Sequence, residues 1–110
     1  MENCIFCKIA KKEIPAQLLH EDEYTVAFND LNPQAPVHIL VIPKEHIASL
    51  NELNDKQIMS VLFNAVKEVT KKLSITDYRT VINTGKAAGQ EVFHIHLHVL
   101  AGRQFNWPPG

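Results

Sequence analysis

The stretch Glu91-Val92-Phe93-His94-Ile95-His96-Leu97-His98-Val99-Leu100 sets histidine and aliphatic residues in strict alternation. A period of two is the mark of a β-strand, in which residues two apart share a face. It predicts a strand here whose three imidazoles point one way, while Ile95, Leu97 and Val99 point into a core. Successive histidines on such a strand stand about 6.6–6.8 Å apart at Cα, from a rise of roughly 3.3–3.4 Å per residue. Half of the chain's 6 histidines lie on this ridge. A lone strand histidine is usually a satisfied or solvent-facing residue. Three in register differ, because neighbouring imidazolium charges repel and a purely structural face gains little from them. Some of these rings should titrate low and stay neutral near pH 7, the state that suits a nucleophile or a metal ligand.

Around that ridge the composition is ordinary. The 110 residues, 45% apolar and 21% charged, predict one domain spanning 1–110 with a modest core. A net charge of -1 and a pI near 6.6 supply no basic footprint for nucleic acid. Lys44, Lys67, Lys71 and Lys72 read as solvated residues. No apolar run is long enough for a membrane span, and Met1-Glu2-Asn3-Cys4 lacks the basic and apolar regions of a secretory leader. A cytoplasmic protein without membrane partners is expected. The 2 cysteines are Cys4 and Cys7. A structural disulfide between them is disfavoured in a reducing compartment, and a thioredoxin-like motif would need a preceding strand. Half of a zinc site, completed by histidines, is the better reading.

Upstream of the ridge, Thr84-Gly85-Lys86-Ala87-Ala88-Gly89-Gln90 forms a loop whose glycines permit several N–H groups to converge on an anion. Tyr78 to Asn83 reads as a strand. Val37 to Ile42 is a buried strand carrying His38; it stops at Pro43 and follows the loop Asn32-Pro33-Gln34-Ala35-Pro36. Gln17–Glu21 and Thr25–Asn29 read as strands joined in a hairpin through Glu21-Asp22-Glu23-Tyr24. Cys4 to Lys12 is a short amphipathic segment with Ile5, Phe6 and Ile9 on its apolar side, ended by Glu13-Ile14-Pro15. From Asp55 to Leu73 the apolar residues recur at helical spacing, and Asn54 with Gln57 resembles a capping box. With Met59 and Phe63 the stripe covers an arc of roughly 200°, wider than a surface helix requires. Either a second subunit or a closely wrapped monomer would cover that flank. Five short strands and one long helix make an α+β domain with an antiparallel sheet. The tail Trp107-Pro108-Pro109-Gly110 fits neither helix nor central strand, and its tryptophan is suited to docking.

Together, Pro36-Val37-His38-Ile39-Leu40-Val41-Ile42-Pro43-Lys44, Gly89-Gln90 and the three-histidine strand resemble the histidine-triad superfamily. The nearest branch is that of the histidine-triad nucleotide-binding proteins, which are purine nucleoside phosphoramidases. The likeness runs from Cys4 to the terminal Trp107-Pro108-Pro109-Gly110. It implies a homodimer whose two five-stranded sheets join into one, with a short N-terminal helix beside the long one. It implies a purine nucleotide (AMP-like) substrate, cleaved between the α-phosphate and an amine. In that pattern His96 attacks phosphorus, His98 contacts the scissile phosphate and leaving group, and His38 assists the proton relay. Asp30 matches the carboxylate that holds the ribose hydroxyls. Phe6, Ile9, Phe28, Asn29, Leu31 and Leu40 match the base and ribose pocket, and Asn83, Gly89, Glu91 and Val92 match the phosphate site.

One position departs from the pattern. Glu91 stands where some members carry serine, so only a backbone contact with phosphate carries over. The resemblance also implies structural zinc on Cys4, Cys7, His46 and His94, a closed Cys₂His₂ set, with no catalytic metal. Three other readings use the same residues: a dinucleoside polyphosphate hydrolase or nucleotidyl transferase, a zinc hydrolase with His94 and His96 as open-site ligands, and a nucleotide-sensing scaffold with little turnover.

Overall fold

The computed structural model describes residues 3–110; Met1 and Glu2, part of the start read above as lacking a leader, lie outside them. The chain runs through α1 (Ile5–Ala10), β1 (Leu18–Glu21), β2 (Thr25–Asn29), β3 (Val37–Pro43), α2 (Lys56–Lys72), β4 (Arg79–Val81) and β5 (Leu97–Ala101). The strands form one antiparallel 5-stranded sheet in the order β1-β2-β3-β5-β4. This is the expected α+β arrangement.

Strand alternation gives the sheet two buried faces. Ala27, Ile39, Val41, Leu97 and Val99 project to one side and pack against Ile58, Leu62, Ala65, Val66 and Val69 of α2. Val26, Phe28, Leu40 and Ile42 project to the other and pack against Phe6, Ile9 and Ala10 of α1. Covered on both sides, β3 is an almost unbroken apolar run with His38 as its polar interruption. Leu62 is 1% exposed, and its truncation to alanine should cost about 2–5 kcal/mol.

Three local expectations are corrected. The histidine strand begins at Leu97 rather than Glu91, because the Ile95 N–H donates to the Ile47 carbonyl at 2.7 Å instead of entering a ladder. The pairings with β3 and β4 start only at Leu97 and His98. The fourth strand covers Arg79–Val81, shorter than Tyr78–Asn83. The cap of α2 is Asp55, whose carboxylate accepts from the Gln57 and Ile58 N–H groups, and not Asn54. A Ser49–Glu52 pair organises the preceding 3-10 turn at Leu50–Glu52. The flank of the broad apolar stripe of α2 is left open within one chain, where Phe63 is 53% and Leu73 42% exposed, so the chain does not wrap it closely by itself.

Candidate active site and metal centre

The face of the sheet that carries α1 also carries the histidines. Register places Leu40 opposite His98 and His38 opposite Leu100, which makes His38 and His98 diagonal neighbours within reach of each other. Their rings are 5.1 Å apart at the centroids. The His96 ring lies 5.0 Å from His98 and meets the edge of Phe6 at 5.1 Å.

Hydrogen bonds assign each neutral ring its tautomer. The Gln34 N–H donates to His38 Nδ1 at 3.0 Å, so the His38 proton sits on Nε2. That Nε2–H donates to His98 Nδ1 at 2.8 Å, with Asp30 Oδ2 3.4 Å away on its flank. His98 must then carry its proton on Nε2, and this atom is buried without a partner among the described residues. A buried unpaired N–H is costly to leave unmade, so it is a donor awaiting an acceptor. His96 Nδ1–H donates to the His94 carbonyl at 2.9 Å, which leaves His96 Nε2 as a bare lone pair. Burial pushes His98 down to about 4, and the neighbouring His96 and His38 rings act the same way against Asp30. Burial likewise holds His38 below the ordinary range, with Asp30 offsetting part of the effect. These two rings are neutral at pH 7, as the alternating motif suggested.

His38, His96 and His98 open onto a cavity of about 840 Å³, within the range of small-molecule sites. Phe6, Ile9, Phe28, Leu40 and Val92 give it apolar walls; Asn29, Asp30, Leu31, Asn83, Gly89 and Glu91 complete the set expected from the sequence. Leu31 is 98% exposed and stands at the rim. Asp30 Oδ1 is held by the Asn32 N–H at 2.8 Å. Gly85 and Gly89 have φ of +90° and +98°, a region that favours glycine. Neither the Glu91 nor the Val92 N–H pairs with a backbone carbonyl of the described residues.

Sequence reasoning missed part of the wall. Ile14, Pro15, Ala16 and Gln17 line the cavity, from a linker with no periodicity to flag it. Gln34, which fixes the His38 tautomer, sat in a loop read only for its prolines. Gln90 is 3% exposed, and the Gly89-Gln90 pair in the sequence gives its side chain no task.

On the other side of Phe6, Cys4, Cys7, His46 and His94 form a second cluster whose ligand atoms all lie within 4.8 Å of one another. Cys4 Sγ and Cys7 Sγ lie 3.3 and 3.5 Å from His94 Nδ1, and Cys7 Sγ lies 3.3 Å from His46 Nδ1. Ligand bonds of about 2.0–2.3 Å in a tetrahedron span separations of this size. The tautomer also fits: His94 Nε2–H donates to the Pro43 carbonyl at 2.8 Å, leaving Nδ1 as an acceptor, the usual outer-shell arrangement of a metal-bound imidazole. Burial pushes His94 down to about 4 and raises the Cys7 thiol, with Cys4 adding to the rise. A cation reverses the thiol's preference by binding its deprotonated form. The residues present therefore fit zinc. His96 is not in this group, which removes a ligand from the zinc-hydrolase reading.

The HIT domain family model matches residues 11–105. The chain is 49% identical over 111 residues to the 14 kDa zinc-binding protein of Zea mays, covering 96% of this chain and 87% of that one. It superposes on a HIT family hydrolase from Legionella pneumophila with a TM-score of 0.92 and 47% identity, over 98% of this chain and 100% of that one. A histidine triad nucleotide-binding protein from Candida albicans gives 0.84 and 37%, over 96% and 83%.

Proposed function

Because this chain belongs to the HIT domain family, we propose that it is a nucleotide-binding hydrolase that cleaves purine nucleoside 5'-phosphoramidates through a nucleotidyl intermediate on His96. The observation that carries this reading is the pairing of two atoms at one cavity. His96 Nε2 offers a lone pair, and buried His98 Nε2–H lacks an acceptor among the described residues.

The reaction follows from those roles. His96 Nε2 attacks the α-phosphorus in line, forming a P–N bond as the bond to the leaving amine breaks. The amine takes the proton at His98 Nε2 from a His38–His98 pair that shares one extra proton while the anionic phosphate and Asp30 lie beside it, so that both rings end neutral. The His94 carbonyl, accepting from His96 Nδ1–H, stabilises the positive ring of the intermediate. Water then attacks phosphorus, gives up a proton to the relay, and releases the mononucleotide with neutral His96 restored. Backbone N–H groups at Glu91 and Val92, with Asn83, hold the phosphate oxygens, while Asp30 takes the ribose hydroxyls. Among the described lining residues no lysine or arginine faces the cavity, whereas Asp30 and Glu91 do. That charge balance favours a phosphoramidate over a dinucleoside polyphosphate, which brings extra negative charge.

Cys4, Cys7, His46 and His94 would hold zinc, which would supply cohesion between α1, the segment after β3 and the approach to β5. The working form is a homodimer, with the two sheets joined into one. The uncovered Phe63 on α2, Tyr78 beside β4 and the 81% exposed Trp107 support it, and sedimentation at micromolar concentration tests it. A cytoplasmic location is consistent with the reading.

Incubating the protein with an adenosine phosphoramidate, quenching in alkali and mapping the adduct tests the chemistry. Adenylyl mass on His96 is expected in wild type and absent in His96→Ala. Equal hydrolysis by both proteins would sink the mechanism.

A further inference from the structure

Gln90 is a buried polar side chain that the reaction above leaves unused. Its Oε1 accepts the Gly85 N–H at 2.9 Å, and its Nε2 donates to the Ala48 carbonyl at 2.7 Å and the Val92 carbonyl at 3.2 Å. Its own N–H returns to the Gly85 carbonyl at 3.1 Å, so the glycine loop is tied twice to one residue. Ala48 belongs to a different part of the chain, between β3 and α2. The carbonyl just before it, of Ile47, takes the Ile95 N–H at 2.7 Å. Residues 91–94 are thus pinned at both ends to the Ile47-Ala48 pair, by the Gln90 side chain before them and by Ile95 after. Between the pins stand the Glu91 and Val92 N–H groups, which pair with no backbone carbonyl of the described residues. At the far end is the His94 carbonyl that orients His96. Only a primary amide accepts at one atom and donates twice from its neighbour without carrying charge.

We propose that Gln90 is the positioning residue of the phosphate site: it holds the 91–92 backbone so that its N–H groups face the nucleotide's α-phosphate, and it touches no substrate atom itself. This rests on the nucleotide reading given above. Titration calorimetry on the full chain, with AMP and with adenosine as ligands, tests it. Wild type should bind AMP more tightly than adenosine. Gln90→Met keeps the volume and removes the three side-chain bonds; it should lose about tenfold in AMP affinity, the scale of one charge-assisted hydrogen bond, with adenosine changed less than about twofold. Gln90→Glu retains the Gly85 contact but sets a carboxylate oxygen against two carbonyls, and gives the same pattern should the methionine variant fail to fold. A merely structural role predicts equal losses for both ligands, and that outcome overturns the proposal. So does unchanged AMP affinity, or a wild type indifferent to the phosphate. If wild type prefers AMP, the variants lose that preference and an adenosine phosphoramidate is left intact, the reaction proposed above fails while the role of Gln90 stands.

Discussion

Two histidine-containing clusters, one of them shared with two cysteines, meet Phe6 through His94 and His96, and they are organised in opposite ways. In the Cys4-Cys7-His46-His94 group the free ligand atoms converge, with 3.3–3.5 Å between sulfur and imidazole nitrogen. In the His38-His96-His98 group both nitrogens of His38 are engaged by neighbours, and His96 and His98 each have one engaged, at Nδ1. The atoms left over, His96 Nε2 and His98 Nε2, are a lone pair and a proton that different partners must use. Convergent lone pairs suit a single cation; a lone pair beside an unshared N–H suits a group that accepts at one atom and departs from another. The presence of histidine alone does not tell the two apart. The direction of the second nitrogen does.

The largest effect that separates them is kinetic. His96→Ala should lower kcat for an adenosine phosphoramidate by about 10³–10⁶-fold, the range for loss of a nucleophile, with AMP binding nearly unchanged by calorimetry. Comparable turnover in the variant would merge the two clusters into one structural role. Next comes stability. Chelation, or Cys4→Ala with Cys7→Ala, should lower Tm by about 10 °C or more, from several kcal/mol of lost metal linkage at about 4–8 °C per kcal/mol. The kcat of whatever remains folded should move only a few-fold. A parallel loss of kcat at constant fold would break the division of labour.

Asp30→Ala should weaken AMP by about 10-fold or more, one hydrogen bond to a charged group. A dideoxyribose analogue should bind wild type and variant alike, and its discrimination between them would remove Asp30 from the ribose. The smallest effect is on pH. His38 and His98 fold with values below their ordinary 6.5, His98 at about 4, so between these limits the unfolded chain binds more protons. Stability should be complete above pH 6.5 and decline as pH falls toward 4. Urea midpoints at pH 7, 6 and 5 would read it, and His98→Asn should flatten the slope. A midpoint that rises on acidification contradicts the burial of these rings.

Much of this was legible in sequence because it is local. The β-branched run Val37–Ile42, closed by Pro43, and the histidine alternation before Leu100 each point directly to a strand; the structure sets Cys4, Cys7, His46 and His94 in one cluster and His38, His96 and His98 around a cavity. What was not legible depends on distant backbone. The late start of β5 follows from the Ile47 carbonyl capturing Ile95, a contact between residues far apart in sequence. The Asp55 cap differs from the expected Asn54 by a single position, a distinction that rests on which side chain reaches the Gln57 and Ile58 N–H groups. The wall at Ile14–Gln17 has no period to betray it. Gln90 looked like a polar residue beside a glycine, since its three partners are visible only once the chain is folded.

His94 belongs to both clusters through different atoms: its ring to the cysteines, its main-chain carbonyl to His96. Any amino acid supplies a carbonyl, whereas only a few supply a ligand. Replacement at position 94 would therefore strip one role while sparing the other, and descendants of this fold could shed their metal by drift without relearning how to aim the nucleophile.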